Sequence, residues 1–364
     1  MNIGKIPSKA ARLTPAKDAL IDVPNNRRLS YAALDLRIIK LANALLDNAG
    51  LKKGDRVAIL SKNCIQYMEI FYACARVGLI AQPLNWRLGE DELGRIVQDG
   101  APRILIASAE YEKLAATLTA AQHNTPALIF GNASDDAYEQ LLHTGREAEP
   151  AQSGSVGGDD AALILYTGGT TGESKGALHT HKTLFMGMLN QTVAERVLST
   201  DVYMLTGQMF HIPVALAMNY MAHGCPVVLI NFEAKLALDV IQKERVSAFL
   251  GITTMLNWMM AVDNFSDYDL SSLRNIQYGG GPMPRSVVAD ALTKFPCTII
   301  QGYGQTEGMT MSFLSQEDHQ LALAGHHPER LASCGREGFI TAIKLVDQQG
   351  NEIPKDGVTP GEII

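Results

Sequence analysis

The stretch DRVAILSKNCIQYMEIFYACARVGLIAQPLN, residues 55–85, contains an apolar run, a helical pattern and a second apolar run. Its first segment, DRVAILS, is typical of a buried strand, and its last segment, LIAQPLN, is typical of another. Between them, CIQYMEIFYACARVG predicts a helix. A strand, a helix and a strand in this order indicate an α/β layered sheet with parallel strands.

The same alternation extends in both directions from this stretch. Before it, LSYAALDLRIIKLANALLDNAG has apolar residues at spacings of three and four, with Ser30 as a predicted N-cap and Gly50 at its end. After it, EDELGRIVQDG, KTLFMGMLNQTVAERV and LALDVIQKERV predict helices. Strands are predicted for RILIAS, AALILYT, DVYMLTG, PVVLI, SAFLGI, NIQYGGG and CTIIQGYG. We therefore expect an α/β fold with mostly parallel sheets.

Two changes of pattern suggest domain boundaries. The segment HTGREAEPAQSGSVGGDD, residues 143–160, is polar and rich in Gly and Ser, which is typical of a linker. Near Ser333 the pattern changes to short alternating strands with a turn at residues 347–350. We predict an N-terminal α/β subdomain (1–157), a second α/β subdomain (158–332) and the start of a small β-barrel subdomain (333–364). The sequence stops inside GEII, which is typical of a strand, so we expect a shortened chain.

The composition limits the classes of protein that fit. Of the 364 residues, 46% are hydrophobic and 19% are charged, which is typical of a globular chain with a core. A formal net charge of −7 without a long basic run argues against nucleic-acid binding. The five cysteines are scattered and form no CxxC, which indicates reduced thiols and a cytoplasmic protein. No signal peptide or apolar stretch near the roughly 18 residues of a spanning helix is visible. Peripheral membrane contact and homodimer formation stay open.

The segment LILYTGGTTGESKGALHTH, residues 163–181, has the chemistry of a phosphate-binding loop. Glycines let backbone N–H groups turn inward, threonines add hydroxyl donors and Lys175 adds a cation. The binding residues predicted in this loop are Thr167, Gly168, Gly169, Thr170, Thr171 and Gly172. We expect a strand before the loop and a helix after it, and a solvated polar loop is the alternative. The spacing from Gly172 to Lys175 does not fit a Walker A loop, which disfavours an ATPase or kinase.

The segment YTGGTTGESKGALHTH resembles the signature of the adenylate-forming enzymes: the acyl-CoA synthetases, the luciferases and the adenylation domains of peptide synthetases. The usual form is Y-T-S-G-T-T-G-x-P-K-G, so this sequence differs from it at Gly168 and Ser174. Five further blocks resemble the family in the same order and extend over nearly all of the chain: QPLNWRL, MFHIPV, YGGGPMP, QGYGQTEG and SCGREGFITAIKLVD. The details of the loop and of QPLNWRL are most similar to fatty-acid–CoA ligases.

The resemblance implies that a carboxylic acid reacts with ATP to give acyl-AMP and pyrophosphate, after which coenzyme A captures the acyl group. It implies that Lys175 and the loop hold the phosphates and that Thr306 contacts the α-phosphate. Glu307, together with Thr167, is the expected Mg²⁺ site, since Mg²⁺ prefers oxygen ligands. His211 is expected where the acid meets the nucleotide, and Tyr303 is expected to stack on adenine. The other residues expected beside adenine are Gly279, Gly280, Gly281, Gln301, Gly302 and Gly304.

The sequence also indicates the class of acid. Amino-acid-activating relatives carry an aspartate where this chain has His211, and a buried ammonium group would here lack a countercharge. The acid is therefore expected to lack an amino group. The residues expected around it are apolar: Ile212, Val214, Ala215, Ala217, Met218, Ile252 and Met255. We predict a fatty acid, with an aryl acid as the alternative.

Some landmarks of the family are absent from the sequence. The resemblance implies that the ribose-binding aspartate of T-G-D, the hinge and the C-terminal lysine follow Ile364, so that the lid domain is absent. We therefore expect the chain alone to be a poor catalyst, and a non-catalytic nucleotide-binding module is the alternative if it natively ends there. His319, His326 and His327 lack the helical spacing and the cysteines typical of a metal site.

Overall fold

The computed structural model describes residues 1–120, 125–132, 136–168 and 174–364. In these ranges the helices are α1 (Ile6–Leu13), α2 (Tyr31–Asp47), α3 (Ile65–Val77), α4 (Glu90–Gly100), α5 (Glu112–Ala120), α6 (Ala137–Thr144), α7 (His181–Glu195), α8 (Pro213–Ala222), α9 (Ala234–Glu244), α10 (Thr253–Met260), α11 (Arg285–Lys294) and α12 (Gln316–Leu323). The strands are β1 (Asp18–Asp22), β2 (Arg27–Ser30), β3 (Arg56–Leu60), β4 (Ile80–Pro83), β5 (Ile104–Ser108), β6 (Ala127–Phe130), β7 (Ala161–Thr167), β8 (Lys175–Thr180), β9 (Tyr203–Leu205), β10 (Val227–Leu229), β11 (Ala248–Leu250), β12 (Asn275–Gly279), β13 (Thr298–Gln305), β14 (Met309–Leu314), β15 (Arg336–Glu337), β16 (Leu345–Val346) and β17 (Glu362–Ile363).

Two large sheets organise these elements. The first has the strand order β6-β5-β3-β4-β7-β8, and the second has the order β15-β14-β13-β12-β11-β9-β10-β1-β2. Pairing in the first sheet is parallel except between β7 and β8. In the second sheet it is parallel from β13 to β1, with antiparallel strands at both edges. The prediction of an α/β fold with mostly parallel sheets is confirmed.

The strand–helix–strand unit predicted first is formed by β3, α3 and β4. Every residue of α3 is buried, which explains its nearly continuous apolar sequence. Its one buried guanidinium, on Arg76, pairs with the carboxylate of Asp35 at 2.8 Å. The helix ends at Gly78, whose φ of 77° is a left-handed conformation that glycine adopts without strain. In α2, the predicted cap Ser30 accepts a hydrogen bond from the backbone N–H of Ala33.

Both sheets combine segments that are distant in sequence. Strands β1 and β2, from the N-terminus, extend the second sheet, where Leu20 of β1 is aligned with Val227 of β10. Strands β7 and β8, which follow residue 157, belong instead to the first sheet. The segment predicted as a linker is held against α2, because the amide of Asn43 donates to the backbone carbonyls of Arg146 and Ala148. The domain ranges 1–157, 158–332 and 333–364 stay a prediction.

The last part of the chain forms a small two-stranded sheet of β16 and β17. The predicted turn is present, since the backbone N–H of Gly350 donates to the carbonyl of Asp347 at 3.0 Å. The described residues form no closed barrel. No helix in the described ranges is long and apolar enough to cross a membrane.

Candidate functional site

A cavity of about 920 Å³ lies where β7, β11, β12 and β13 end and where α8 begins. The carboxyl ends of parallel strands are a common position for ligand sites in α/β folds. The predicted site residues that line this cavity are Thr167, Gly168, Lys175, His211, Gly279, Gly280, Gly302, Gly304, Thr306 and Glu307. Gly281, Gln301 and Tyr303 are not among its lining residues. The predicted residues Gly169, Thr170, Thr171 and Gly172 lie outside the described part of the chain.

The predicted phosphate loop connects two antiparallel strands. The helix predicted after the loop is present as α7 (His181–Glu195), but residues Lys175–Thr180, between the loop and this helix, form β8, which pairs with β7. Helix α7 begins only at His181, where the Thr180 hydroxyl accepts from the backbone N–H of Thr183. The register aligns Lys175 with Thr167 across the hairpin. The lysine is exposed and has no ion pair with another described residue.

Helix α4 holds both ends of this loop. The hydroxyl of Ser174 donates to Glu92 Oε1 at 2.8 Å, and the phenol of Tyr166 donates to Asp99 Oδ2 at 2.6 Å. Glu92 and Asp99 are seven residues apart, so they lie on one face of the helix. Sequence reasoning missed these contacts. The signal that could have directed attention to them is Ser174, which stands where the related signature commonly has proline.

Thr306 and Glu307 form the turn between β13 and β14. Thr306 is buried, and its backbone carbonyl accepts a hydrogen bond from His179 Nε2 at 2.8 Å. His179 is fully buried in β8, and this burial lowers the pKa of its imidazole. The neutral ring therefore joins the β7–β8 hairpin to the Thr306–Glu307 turn. Sequence reasoning gave His179 no role.

The side chain of His211 lies at the start of α8 and borders the cavity. Its Nδ1 accepts a hydrogen bond from the backbone N–H of Ile212 at 2.8 Å. Burial lowers the pKa of this ring. The neutral form consequently carries its proton on Nε2, where it is available as a donor.

Glycines allow the neighbouring strands β12, β13 and β14 to lie close together at one wall of the cavity. A Cβ atom on Gly279 would collide with the carbonyl oxygen of Gly302, and one on Gly304 would collide with the carbonyl of Met309. The close approach of the backbones thus requires glycine whether or not a ring binds there. Tyr303 lies between Gly302 and Gly304 in sequence, and successive strand residues point to opposite faces. Its stacking on adenine stays a prediction.

The apolar end of the cavity differs in part from the prediction. Ile212 and Ile252 line it, whereas the predicted residue Met255 does not. Other predicted residues of α8 belong to the hydrophobic core instead: Val214, Ala215, Ala217 and Met218. Helical periodicity explains this, because α8 directs Pro213 and Leu216 towards the cavity and its remaining faces inward. Leu250 and Met309, which the sequence did not indicate, complete the apolar lining.

Comparison with known proteins identifies the family. A family described as "AMP-binding enzyme" matches residues 8–364. The chain belongs to this family. A feruloyl-CoA synthase of Amycolatopsis sp is 30% identical over 364 residues, covering 99% of this chain and 68% of that protein. The long-chain-fatty-acid–CoA ligase FadD13 of Mycobacterium tuberculosis is 28% identical over 351 residues, covering 96% of this chain and 67% of that protein.

A solved structure supports the same fold for this AMP-binding enzyme. The N-terminal domain of FACL13 from Mycobacterium tuberculosis, bound to an inhibitor, superposes with a TM-score of 0.86 at 27% identity. The match covers 97% of this chain and 86% of that one.

The cavity is not lined by the three histidines whose spacing does not fit a metal site, His319, His326 and His327. His319 is buried, with Nε2 2.8 Å from the hydroxyl of Tyr278 and Nδ1 2.6 Å from the carbonyl of Ser315. His327 lies 3.1 Å from Glu329 at the surface. In the ranges that the structure describes, no group of three or more His, Cys, Asp or Glu residues could hold a metal ion. A metal bound by the described residues would therefore need further ligands from elsewhere, such as a substrate or water.

Proposed function

We propose that the chain activates a carboxylic acid with ATP, forming acyl-AMP and pyrophosphate, and that the acyl group then passes to coenzyme A. One observation carries the proposal: a single cavity has a polar, cationic end at Thr167, Lys175 and Thr306 and an apolar end at Pro213 and Leu216. This division suits a substrate pair in which one partner is a polyphosphate and the other has an apolar tail. The two relatives described above are named as a CoA synthase and a CoA ligase.

The polar end supplies what transfer to a phosphorus atom requires of a protein, which is mainly positioning and charge. The exposed ammonium of Lys175 would bind the outer phosphates. Thr306 would donate to the α-phosphate from a turn that His179 holds in place. His211 Nε2–H would donate where the acid carboxylate meets the nucleotide. A carboxylate is already ionised at neutral pH, so no base is needed to activate it.

Magnesium fits this polar end. The Glu307 carboxylate is exposed to the cavity and has no ion pair with another described residue. Mg²⁺ is usually held by one or two carboxylates, with phosphates and water as its other ligands, which agrees with a site of so few protein oxygens. Glu307 would hold the ion, with Thr167 beside it. The ion would supply charge neutralisation of the phosphates when bound.

The apolar end indicates an acid with an apolar tail. Its side walls are formed by Ile212, Leu216, Leu250 and Ile252. No carboxylate of the described residues lines the cavity apart from Glu307, so an amino acid would have its ammonium group far from a countercharge. We propose a fatty acid, with an aryl acid as the alternative. The names of the relatives include both kinds, since one is a long-chain-fatty-acid ligase and the other a feruloyl-CoA synthase.

The test combines ATP binding with acid-dependent exchange of pyrophosphate into ATP. Calorimetric titration of ATP with Mg²⁺ should give saturable binding, and labelled pyrophosphate should enter ATP only when a suitable acid is present. A panel of fatty and aryl acids of increasing length would rank the two classes. A chain that neither binds ATP nor exchanges pyrophosphate with any acid of the panel would contradict the proposal.

A further inference from the structure

Met309 adopts a backbone conformation that is costly for its residue type. It begins β14, shortly after the Thr306–Glu307 turn, and its φ of 58° lies in the left-handed region. Residues with a Cβ atom are strained in this region, whereas glycine is not. The preceding residue, Gly308, could adopt the conformation without strain, yet its φ is not positive. The left-handed conformation therefore falls on the residue that has a long side chain.

The side chain of Met309 is buried in a notch on helix α7 at Gly187. A Cβ atom built on Gly187 would be 2.5 Å from Met309 Sδ and 2.9 Å from its Cε, so glycine is required to leave room for this thioether. Gly187 lies in the interior of α7, where glycine destabilises a helix relative to alanine. By comparison, a Cβ atom on Gly94, in the interior of α4, would meet no atom of the described residues within 4 Å. The contact with Met309 thus explains the glycine of α7.

Helix α7 is also attached to the residue that follows Met309. Asn190, three residues after Gly187, donates from Nδ2 to the backbone carbonyl of Thr310 at 3.3 Å. The same amide group donates to the hydroxyl of Thr341 at 2.6 Å. Because Asn190 is buried, water does not compete for these bonds. The notch is therefore held at a fixed place beside the first residues of β14.

The conformation of Met309 determines how the loop before it leaves the sheet. Gln305 of β13 is aligned with Met309 of β14, so only the three residues 306–308 lie between the paired positions. The backbone N–H of Gly308 donates to the carbonyl of Gln305 at 3.2 Å, which closes a tight turn. A loop this short has few conformations, so a change of Met309 to extended backbone would turn the Thr306–Glu307 pair away from its present direction.

We propose that Met309 is a positioning residue: the notch at Gly187 holds its backbone in the left-handed conformation, and this conformation orients the Thr306–Glu307 turn towards the phosphates of the nucleotide. The inference rests on the proposed function, because it requires ATP to bind at this turn. Backbone strain of this kind persists only where the surroundings fix it, and it is often found at functional sites. The packing of the Met309 thioether on α7 supplies that constraint. Helix α7 therefore controls the affinity for ATP although Gly187 does not line the cavity.

A substitution that fills the notch tests this role without altering a residue of the cavity wall. In Gly187→Ala the new methyl group would displace the Met309 side chain, and the affinity for ATP with Mg²⁺, measured by calorimetry without acid, should fall several-fold. Gly94→Ala makes the same change in the interior of α4, where the described residues leave free space, and should keep the ATP affinity of the wild type. Equal ATP affinity in the wild type and both variants would overturn the positioning role. Absence of ATP binding in the wild type would instead contradict the proposed function itself, and the positioning role with it.

Two substitutions of Met309 separate its backbone conformation from its side-chain packing. Met309→Gly adopts the left-handed conformation without strain, whereas Met309→Ala keeps the strain and loses the thioether that holds the backbone in place. Met309→Gly should therefore bind ATP several-fold more tightly than Met309→Ala, although it retains less of the side chain. Loss of packing alone predicts the opposite order, because glycine makes fewer contacts and leaves the chain more flexible.

The combination of both positions identifies the notch as the cause. In Met309→Gly no side chain occupies the notch, so the addition of Gly187→Ala should not lower the ATP affinity further. Urea unfolding shows whether each variant is folded, and if Gly187→Ala is not, the order of the two Met309 variants decides the inference. The inference is overturned if Met309→Ala binds ATP as tightly as Met309→Gly, or if Gly187→Ala lowers the ATP affinity equally with and without the Met309 side chain.

Discussion

The imidazole of His179 donates a hydrogen bond of 2.8 Å to the backbone carbonyl of Thr306. His179 lies in β8, at the edge of the six-stranded sheet, and Thr306 directly follows β13 of the nine-stranded sheet. This one bond therefore joins the two parts of the polar end of the cavity. Because both residues are buried, water cannot replace either partner.

Removal of this donor should loosen the polar end. In His179→Leu the Thr306 carbonyl loses its partner, which should lower the free energy of unfolding by about 1–3 kcal/mol. The affinity for ATP should also fall several-fold, because the Thr306–Glu307 turn is no longer fixed. His179→Gln retains an N–H near the position of Nε2 and should restore most of the ATP affinity. Urea unfolding and ATP titration measure both effects, and equal ATP affinity in all three proteins would refute the positioning role.

The lysine of the hairpin allows a more direct test. Lys175→Ala should weaken ATP binding by about tenfold or more while acid affinity changes little, because only the phosphates would meet the ammonium group. The fold should be unaffected, since Lys175 is exposed. Lys182→Ala, at an exposed position of α7, removes the same charge away from the cavity and is the matched control. Equal losses of ATP affinity in both variants would show a general effect of charge.

The parts of this site that were predictable from sequence are those encoded by local chemistry. The glycines and the lysine of the loop are recognisable from their neighbours, the Thr306–Glu307 pair is recognisable from its resemblance to a family motif, and the alternation of apolar runs predicts the parallel sheets. The pairing of His179 with Thr306 joins residues 127 positions apart. Such contacts depend on how strands from distant parts of the chain are ordered, which periodicity does not specify.

The proposed magnesium site predicts a change in metal dependence. Glu307→Gln replaces a carboxylate oxygen by an amide oxygen, which is a weaker ligand for a hard cation. The Mg²⁺ concentration at half-maximal ATP binding should rise several-fold, and unfolding stability should remain near that of the wild type because the side chain is exposed. Glu317→Gln, which alters an exposed glutamate of α12, should not shift the titration. Superimposable Mg²⁺ titrations for Glu307→Gln and the wild type would remove Glu307 from the site.

The buried carboxyl group of Glu195 should make stability depend on pH. Burial raises the pKa of Glu195 to about 7, although hydrogen bonds from Tyr220 and Gln191 act in the opposite direction. In the unfolded chain the pKa of glutamate is about 4.3. The folded state therefore keeps a proton that the unfolded state releases as the pH rises from about 4.3 to 7. The stability contributed by this group is present below that range and is lost across it.

Glu195→Gln, which stays neutral, should isolate this effect. The free energy of unfolding of the variant minus that of the wild type should increase between pH 5 and pH 7.5, on the order of 2 kcal/mol. Because the variant and the wild type are compared at the same pH, the contributions of other titrating groups to stability cancel. One such group is His181, whose pKa is lowered by burial to about 4. Its contribution to stability changes with pH in the direction opposite to that of Glu195. A difference that is constant with pH would show that Glu195 titrates normally.

The contact between Ser174 and Glu92 predicts a coupled pair of substitutions. Ser174→Ala removes the hydroxyl that donates at 2.8 Å to Glu92. The β7–β8 hairpin would then lose this attachment to α4, so the KM for ATP should rise a few-fold while the KM for the acid stays constant. Glu92→Ala should cause the same change, because it removes the other partner. Glu92→Gln keeps an acceptor oxygen and should have a smaller effect.

The double substitution separates this contact from unrelated effects of each residue. If Ser174 and Glu92 act only through one another, Ser174→Ala combined with Glu92→Ala should raise the KM for ATP no more than either change alone. If the increase in the KM for ATP in the double variant instead equals the product of the two single increases, the two residues act independently. Tyr166→Phe offers a parallel case at the other end of the loop, because it removes the 2.6 Å hydrogen bond to Asp99 on the same face of α4. Since α4 holds the loop at two points, adding Tyr166→Phe to Ser174→Ala should raise the KM for ATP beyond either single change.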